Sequence, residues 1–369
     1  MGKLKRALGL MSGTSMDGID VALLETDGDR ALRHGPAAST PYPAEIKVQL
    51  RAALKEALTL KNRADRPSAL RALEGALTEL NADAVLRFLQ SNGIERASID
   101  VIGYHGQTVL HDPAHAMTVQ LGDGVLLAAR TGIDVVFDLR AADVAAGGQG
   151  APLVPVYHRA LVAHLDELPV AFLNIGGVAN VTFVGDNGRL IAFDTGPGNA
   201  LIDDWMLKRA GAAHDLNGAV AAQGRVDEGS LTALLTNGYF GMPPPKSLDR
   251  DAFSPAPVEH LTTADGAATL TAFTAASIAR AREQMPSEPR TWIVCGGGRK
   301  NKTLMSMLAG RVANAVVPAE ALGLNGDAIE AEAWAYMAVR SLLGLPITFP
   351  ETTGVAAPMT GGVLAKAPR

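Results

Sequence analysis

Residues 9–20 read GLMSGTSMDGID, and this stretch decides the fold. Apolar runs at 6–12 and 19–26 flank Gly13, Thr14, Ser15, Asp17 and Gly18, so the pattern predicts strand, polar turn, strand. A phosphate needs several N–H donors converging on one point, small side chains that let the backbone approach, and hydroxyls as extra donors. Gly9, Ser12, Gly13, Thr14, Ser15 and Gly18 supply these, and Asp17 and Asp20 can hold a metal directly or through water. An ordinary polar hairpin turn uses the same residue types. The density of small donors between two strands favours phosphate. The other common phosphate and metal motifs fail: GGGRKNKT misplaces the lysine and glycine of a P-loop, and neither a GxGxxG fingerprint at the first strand nor an HExxH motif occurs.

Two amphipathic helices follow this hairpin in the pattern. One begins near Pro43 and carries Ile46, Leu50, Leu54 and Leu58; the other carries Leu70, Leu73, Leu77, Leu80, Val85 and Leu89 before Asn92-Gly93. Strands are expected at 99–104 and 133–139, bracketing a short helix that Asp123 can cap. The Gly/Ala/Pro-rich segment 145–155 reads as the loop into a second domain. Three short strands then occupy 170–175, 178–184 and 190–193, followed by a helix over 199–209. Residues 210–262 carry few signals beyond a loop at 242–245. A long helix at 265–284, a strand at 291–294 and a last helix from Asn325 or Asp327 to Leu343 complete the reading. The two glycine-turned strand pairs, 9–25 and 173–184, echo one another, as two related halves facing each other across a nucleotide would.

Four further segments place chemistry-bearing side chains at strand ends. In FDTGPGN, Asp194 precedes a glycine-rich turn; Gly196 and Gly198 leave its carboxylate open to a ligand, which favours proton abstraction over an N-cap. In GYHGQT, His105, Gln107 and Thr108 can hydrogen-bond a sugar, although a lone histidine is commonly structural. In DLRAAD, Arg140 and Asp143 can hold a substrate carboxylate or pair with each other. In VCGGGRKN, Gly296, Gly297 and Gly298 would let an adenine or ribose lie against bare backbone. Glu330 and Glu332 stand at the start of the last helix, a position usually solvated.

The bulk properties agree with a two-domain enzyme. The chain has 369 residues, of which 47% are hydrophobic and 19% charged, which suits packed cores and argues against disorder. A net charge of −5 gives no reason to expect nucleic acid. The single Cys295 excludes an internal disulfide framework and fits a reducing compartment. No apolar run of signal or membrane-spanning length interrupts the pattern, so a soluble cytoplasmic protein is expected.

Taken together, GLMSGTSMDGID, HGQT, TGIDVV, DVAAGGQGAPLVP, NIGG, FDTGPGN, VCGGG and the helix around Glu330 resemble the anhydro-N-acetylmuramic acid kinases. That family belongs to the actin, heat-shock-chaperone and hexokinase-like superfamily. The resemblance runs nearly end to end, and the shared order of the motifs makes it specific. It implies an α/β fold of two actin-like (ribonuclease H-like) domains with a nucleotide and substrate cleft. The expected division is 1–150, joined by a returning segment at about 346–369, and 151–345. It implies an ATP-dependent kinase of cell-wall sugar recycling that opens 1,6-anhydro-N-acetylmuramic acid with water and phosphorylates O6, with Mg2+ on the phosphates. By position, Gly13, Thr14, Ser15, Met16, Asp17, Gly18, Ile19 and Asp20 would grip the ATP phosphates, helped by Gly176 and Gly177 of NIGG. Gly296, Gly297 and Gly298 would border the adenosine. Asp194 would be the general base for the attacking water, and Glu330 a second active-site acid. His105, Gln107, Thr108, Arg140 and Gly196 would meet the sugar. The family also suggests a homodimer.

Two departures qualify the carry-over. Many superfamily members open their hairpins with aspartate, where this chain has Met11 and Asn174, so the metal ligands do not transfer and Asp17 is the candidate. Arginines that follow Arg140 in some relatives are Ala141 and Ala142 here, which leaves open how the lactyl carboxylate is held. Two other readings compete: a sugar or acid kinase of the same fold without ring opening, in which Asp194 deprotonates a hydroxyl, and a nucleotide-switched binding or filament protein.

Overall fold

A computed structural model describes residues 3–13, 16–165 and 167–368. Thr14 and Ser15 of the expected phosphate turn lie outside the described residues. The chain opens with β1 (Lys5–Ser12), β2 (Gly18–Thr26) and β3 (Leu32–Pro41), an antiparallel meander. Next come α1 (Ala44–Ala57), α2 (Ser68–Ser91), β4 (Val101–Asp112), β5 (Met117–Leu121), α3 (Gly124–Thr131), β6 (Val135–Phe137), α4 (Ala141–Ala145) and α5 (Pro155–Leu161). Asp123 caps α3 as expected, its Oδ1 accepting from the Val125 and Leu126 N–H groups at 2.9 Å each.

A second meander follows, of β7 (Val170–Ile175), β8 (Val178–Val184) and β9 (Leu190–Pro197). After it run α6 (Ala200–Ala210), α7 (Glu228–Leu235), α8 (Thr263–Arg280), β10 (Thr291–Cys295), α9 (Lys302–Ala309) and β11 (Ala315–Pro318). The chain ends with α10 (Ile329–Leu342), α11 (Pro350–Thr353) and β12 (Val363–Ala365).

The strands form two sheets with one topology. The first has the order β12-β6-β4-β1-β2-β3, with β5 also on β4; the second has β11-β10-β7-β8-β9. In each, an antiparallel meander comes first, and its opening strand takes two further parallel strands on the other side: β1 with β4 and β6, β7 with β10 and β11. Parallel pairing requires crossovers, which the helices supply. The hairpin echo in the sequence is the beginning of this repeated α/β topology. Leu8, Leu10, Ile19 and Val21 pack with Leu50, Leu77, Val85 and Leu127 in one core, and Leu173, Val181 and Phe193 with Ile278, Trp292 and Leu304 in another.

The chain divides into two compact units: one runs to His164 and resumes at Ala328, the other is Leu165–Asp327. The sequence placed these divisions near 150 and 345. The difference has a specific cause. Helix α10 lies on the first sheet so closely that a Cβ on Gly9 would strike the Ala331 carbonyl and one on Gly103 the Trp334 carbonyl. Gly9 and Gly103 are register partners in β1 and β4, so they form a smooth floor for the helix. Helical periodicity shows that such a helix exists but not which sheet it covers. Helix α5 stays with the same unit because the Tyr157 hydroxyl donates to Glu332 of α10 at 2.7 Å.

Three smaller differences concern element bounds. Strand β3 has no apolar alternation, contains Gly35 and Pro36, and is mostly exposed, as an edge strand can be. Leu54 and Leu58 do not join the buried face of α1, which ends at Ala57. Helix α10 begins at Ile329 rather than at 325–327. Among the described residues, no helix is long and apolar enough to cross a membrane.

Candidate functional site

In the first unit, the turn between β1 and β2 runs from Gly13 to Asp17. Met16 has a positive φ of 55° and donates its N–H to the Gly13 carbonyl at 3.1 Å. Tyr42 anchors the turn at both ends: its N–H donates to the Asp17 carbonyl at 2.9 Å and its hydroxyl to Ser12 Oγ at 2.8 Å. Gly18, Ile19 and Asp20 belong to β2 and pair with β3, and the Ile19 side chain is core. Gly9 serves packing under α10 and is not part of the turn. Within the described residues, Gly13, Met16 and Asp17 lie in the turn itself, outside the strand pairing.

Gln107, at the end of the parallel run of β4, donates from Nε2 to the Gly13 carbonyl at 3.1 Å. The side chain is buried and its Oε1 has no partner among the described residues. A buried acceptor without a donor is costly, which marks this atom as one awaiting a ligand or water. Thr108 accepts from Gln120 Nε2 at 3.3 Å.

His105 is buried against Trp334, with ring centroids 4.5 Å apart. Its Nδ1 lies 3.1 Å from the Ser12 carbonyl and its Nε2 3.1 Å from the Arg140 guanidinium. A carbonyl can only accept and a guanidinium can only donate, so the proton sits on Nδ1 and the ring is neutral. Burial and the Arg140 charge hold its pKa well below the ordinary histidine value. His105 therefore aims Arg140, and neither ring nitrogen is left for acid–base work. Arg140 also donates to the Gly150 carbonyl at 2.8 Å and lies over the Trp334 ring. Burial pushes its pKa down to about 10, while the charges of Glu330 and Asp143 pull it upward.

Glu330 and Arg140 thus share one electrostatic neighbourhood. Asp143 does not hydrogen-bond Arg140: it takes the Gly150 N–H and the Thr353 hydroxyl at 2.6 Å each. Glu332 is an anchor, buried between the Tyr157 hydroxyl and His34 Nδ1, the latter at 3.0 Å.

In the second unit, three glycine-bearing turns meet. The Asn199 N–H donates to the Gly176 carbonyl at 2.7 Å, the Gly198 N–H to the Gly177 carbonyl at 2.9 Å, and Asn199 Nδ2 to the Ile175 and Gly176 carbonyls. Gly296, with φ 75°, and Gly298 press against Asn174 and Ile175, where a Cβ has no room. Gly297 differs. A Cβ there would meet nothing nearer than Asn199 Nδ2 at 3.9 Å. Packing explains two glycines of this run and does not explain the third.

Asp194 lies within β9, which extends through Pro197, and does not end a strand as the sequence suggested. Its Oδ2 accepts from the Leu248 N–H at 2.8 Å. Burial raises its pKa to about 7, partly opposed by that hydrogen bond. A carboxylate that changes charge near neutrality is suited to taking a proton in a reaction. Gly196 is required by packing, since a Cβ would lie 2.6 Å from Ser277 Oγ on α8.

Sequence reasoning missed Tyr239, Lys246 and Asn199. Tyr239 donates to the Asp194 carbonyl at 2.6 Å, and Lys246 is buried beside it. Both lie in the stretch 210–262, which carries few signals, on either side of the loop expected at 242–245. The one signal was a lysine immediately after three prolines, which by itself predicts a turn. Among the described residues, no cluster of three or more His, Cys, Asp or Glu is placed to hold a metal.

Comparison with known proteins gives this geometry a family. The family model for anhydro-N-acetylmuramic acid kinase matches residues 5–367. A relative of that description from Methylobacterium nodulans is 54% identical, over 98% of this chain and 100% of its own. Another from Rhizorhabdus wittichii is 56% identical over 97% and 98%, and one from Agrobacterium fabrum is 50% identical over the full length of both. With the match spanning both units and every motif described above, the chain belongs to the anhydro-N-acetylmuramic acid kinase family.

Proposed function

We propose that this protein uses ATP and water to convert 1,6-anhydro-N-acetylmuramic acid into N-acetylmuramic acid 6-phosphate and ADP, in the cytoplasm, where ATP is supplied. Membership of the family along residues 5–367 carries this reading. The pKa of Asp194, raised by burial to about 7, supports its role as the base.

In this scheme Asp194 takes a proton from the water that attacks the anomeric carbon. The bond from that carbon to O6 breaks, and the released oxygen attacks the γ-phosphorus of ATP. Attack opposite the leaving oxygen is the inverting arrangement, in which one base serves the water and the leaving group needs separate help. Transfer of the phosphoryl group to O6 gives that help. The protein's task is then mainly positioning and charge stabilisation.

Gly13, Met16 and Asp17 face the phosphates in this reading, with Gly176 and Gly177 as further backbone donors and Gly297 against the adenosine. Arg140, aimed by His105, carries a positive charge for the sugar's carboxylate, and Glu330 tunes it. Gln107 offers its unfilled Oε1 to a sugar hydroxyl. Mg2+ on the triphosphate would neutralise developing charge. Such an ion keeps several waters and needs only one or two protein carboxylates, so the exposed Asp17 fits as its ligand without a cluster.

The direct test is ADP release with ATP and Mg2+, with and without the anhydro sugar. Turnover is expected only with the sugar present. Equal turnover without it would contradict the assignment and favour a nucleotide-switched protein.

A further inference from the structure

The segment from Tyr239 to Leu248 wraps the backbone and side chain of Asp194. The Asp194 N–H donates to the Lys246 carbonyl at 3.1 Å, the Leu248 N–H donates to Asp194 Oδ2 at 2.8 Å, and the Tyr239 hydroxyl donates to the Asp194 carbonyl at 2.6 Å. This segment has little regular structure of its own. It opens in the short 3₁₀ turn Gly238–Gly241 and continues through Pro243, Pro244 and Pro245, which have no N–H to give. The Met242 N–H donates to the Tyr239 carbonyl at 3.1 Å and Gln284 Nε2 to the Phe240 and Met242 carbonyls at 3.0 Å each, while Lys246 ties the far end of the segment back to its start. The Nζ donates to the Tyr239 carbonyl at 3.2 Å and stands 4.5 Å over the Tyr239 ring and 5.5 Å over the Phe193 ring.

Lys246 is only 7% exposed. Burying an ammonium this far opposes folding, and an apolar residue of the same length would avoid that penalty. The strain on the charged form is visible: burial, aided by the charge of Arg280 on α8, lowers its pKa to about 8. A costly cation beside the proposed base has a use beyond filling space.

We propose that Lys246 is a positioning residue for Asp194: by helping to pin the Tyr239 carbonyl it holds the Tyr239–Leu248 segment closed, and the segment fixes the carboxylate and limits bulk solvent around it. This rests on the reading of Asp194 as the base for catalysis, while the structural link can be measured without that reading. The ionisable groups acting here are the Tyr239 phenol, which faces Asp194, Lys246 itself, and Arg280 facing Lys246 from α8.

The sign of one shift separates positioning from simple charge. If Lys246 acted as a cation near Asp194, its removal would raise the Asp194 pKa. If it acts by holding the segment closed, its removal admits water and the pKa falls toward the ordinary carboxylate value. The experiment is a carboxyl carbon NMR titration of the full-length protein, with the Asp194 signal identified by its absence in Asp194→Asn. For Lys246→Met the midpoint is expected to fall by about one unit or more, the size typical of partial re-exposure of a buried carboxyl. Lys246→Arg, which keeps a donor for the Tyr239 carbonyl, is expected to restore most of it.

Turnover by Lys246→Met is expected to drop about tenfold with KM for the sugar nearly unchanged, the pattern of a lost transition-state contribution. Should Lys246→Met fail to fold, Lys246→Gln, which stays polar but lacks the charge and the length of the lysine side chain, takes its place, and the same downward shift is expected. An unchanged or raised midpoint in either variant overturns the proposal. Full activity of Asp194→Asn would instead overturn the reading of Asp194 as base, while leaving the measured link between Lys246 and Asp194 intact.

Discussion

At the scale of the residue, Asp194 is held in a state that opposes folding. Its pKa is raised to about 7 in the fold, against 3.8 ordinarily. The folded chain therefore binds this proton more tightly than the unfolded chain does. Below the lower value both states are protonated and nothing is lost; from there to about 7 the unfolded chain gives up the proton that the fold retains, so stability falls across that window and levels off above it. Asp194→Asn is thus expected to raise Tm above pH 7 and to lose that advantage near pH 4, as melting curves across this range would read. A variant less stable than the parent at pH 8 would contradict the assigned environment.

The acid side of the activity profile should fall as pH drops through about 7. Gly297→Ala tests the nucleotide side. Because nothing in the protein crowds a Cβ there, Tm should be unchanged within about 0.5 kcal/mol of stability. KM for ATP should nevertheless rise several-fold; an unchanged KM would remove Gly297 from the nucleotide site. Asp194 was legible in the sequence because FDTGPGN joins a carboxylate to bare backbone. Lys246 was not, because its role comes from bonds to Tyr239 and Asp194, which no spacing announces.

At the scale of the element, helix α10 shows what periodicity carries and what it omits. Its residues from Ile329 to Arg340 are buried almost throughout, and the helix itself is plain in the sequence. Its partner is not, since that depends on Gly9 and Gly103 standing side by side in two strands about ninety positions apart. The helix backbone touches the sheet at those glycines, so Gly9→Ala must push α10 away. A loss of about 2–3 kcal/mol is expected in denaturant unfolding, in the range for overpacked cores. Activity should fall as well, because Glu330 and the Trp334 ring that supports His105 and Arg140 move with the helix. A fully stable, fully active Gly9→Ala would show that the helix does not need this floor. Strand β3 escaped the sequence for the opposite reason. Its exposed edge position removes the apolar alternation by which strands are recognised.

At the scale of the whole molecule, the two units share a topology but not a continuity. Leu165–Asp327 is one uninterrupted piece of chain with its own core, whereas the first unit is completed only when α10 returns. A fragment of residues 165–327 is expected to melt cooperatively by itself. One ending at His164 is expected to stay unfolded until residues 328–369 are supplied, as circular dichroism would show. Two domains of α/β type followed from the motifs and the length; the point of return did not, because the helical pattern after Asp327 does not say which sheet the helix covers.

In the proposed reaction water opens the sugar and ATP captures the released oxygen in one site. Mass spectrometry of the product made in ¹⁸O-water from ATP, Mg2+ and 1,6-anhydro-N-acetylmuramic acid tests it most directly. The account predicts a sugar 6-phosphate carrying one solvent oxygen, and almost none of it from Asp194→Asn, a loss of about a hundredfold or more for a missing general base. A phosphorylated sugar without solvent oxygen, with the anhydro ring intact, would contradict it.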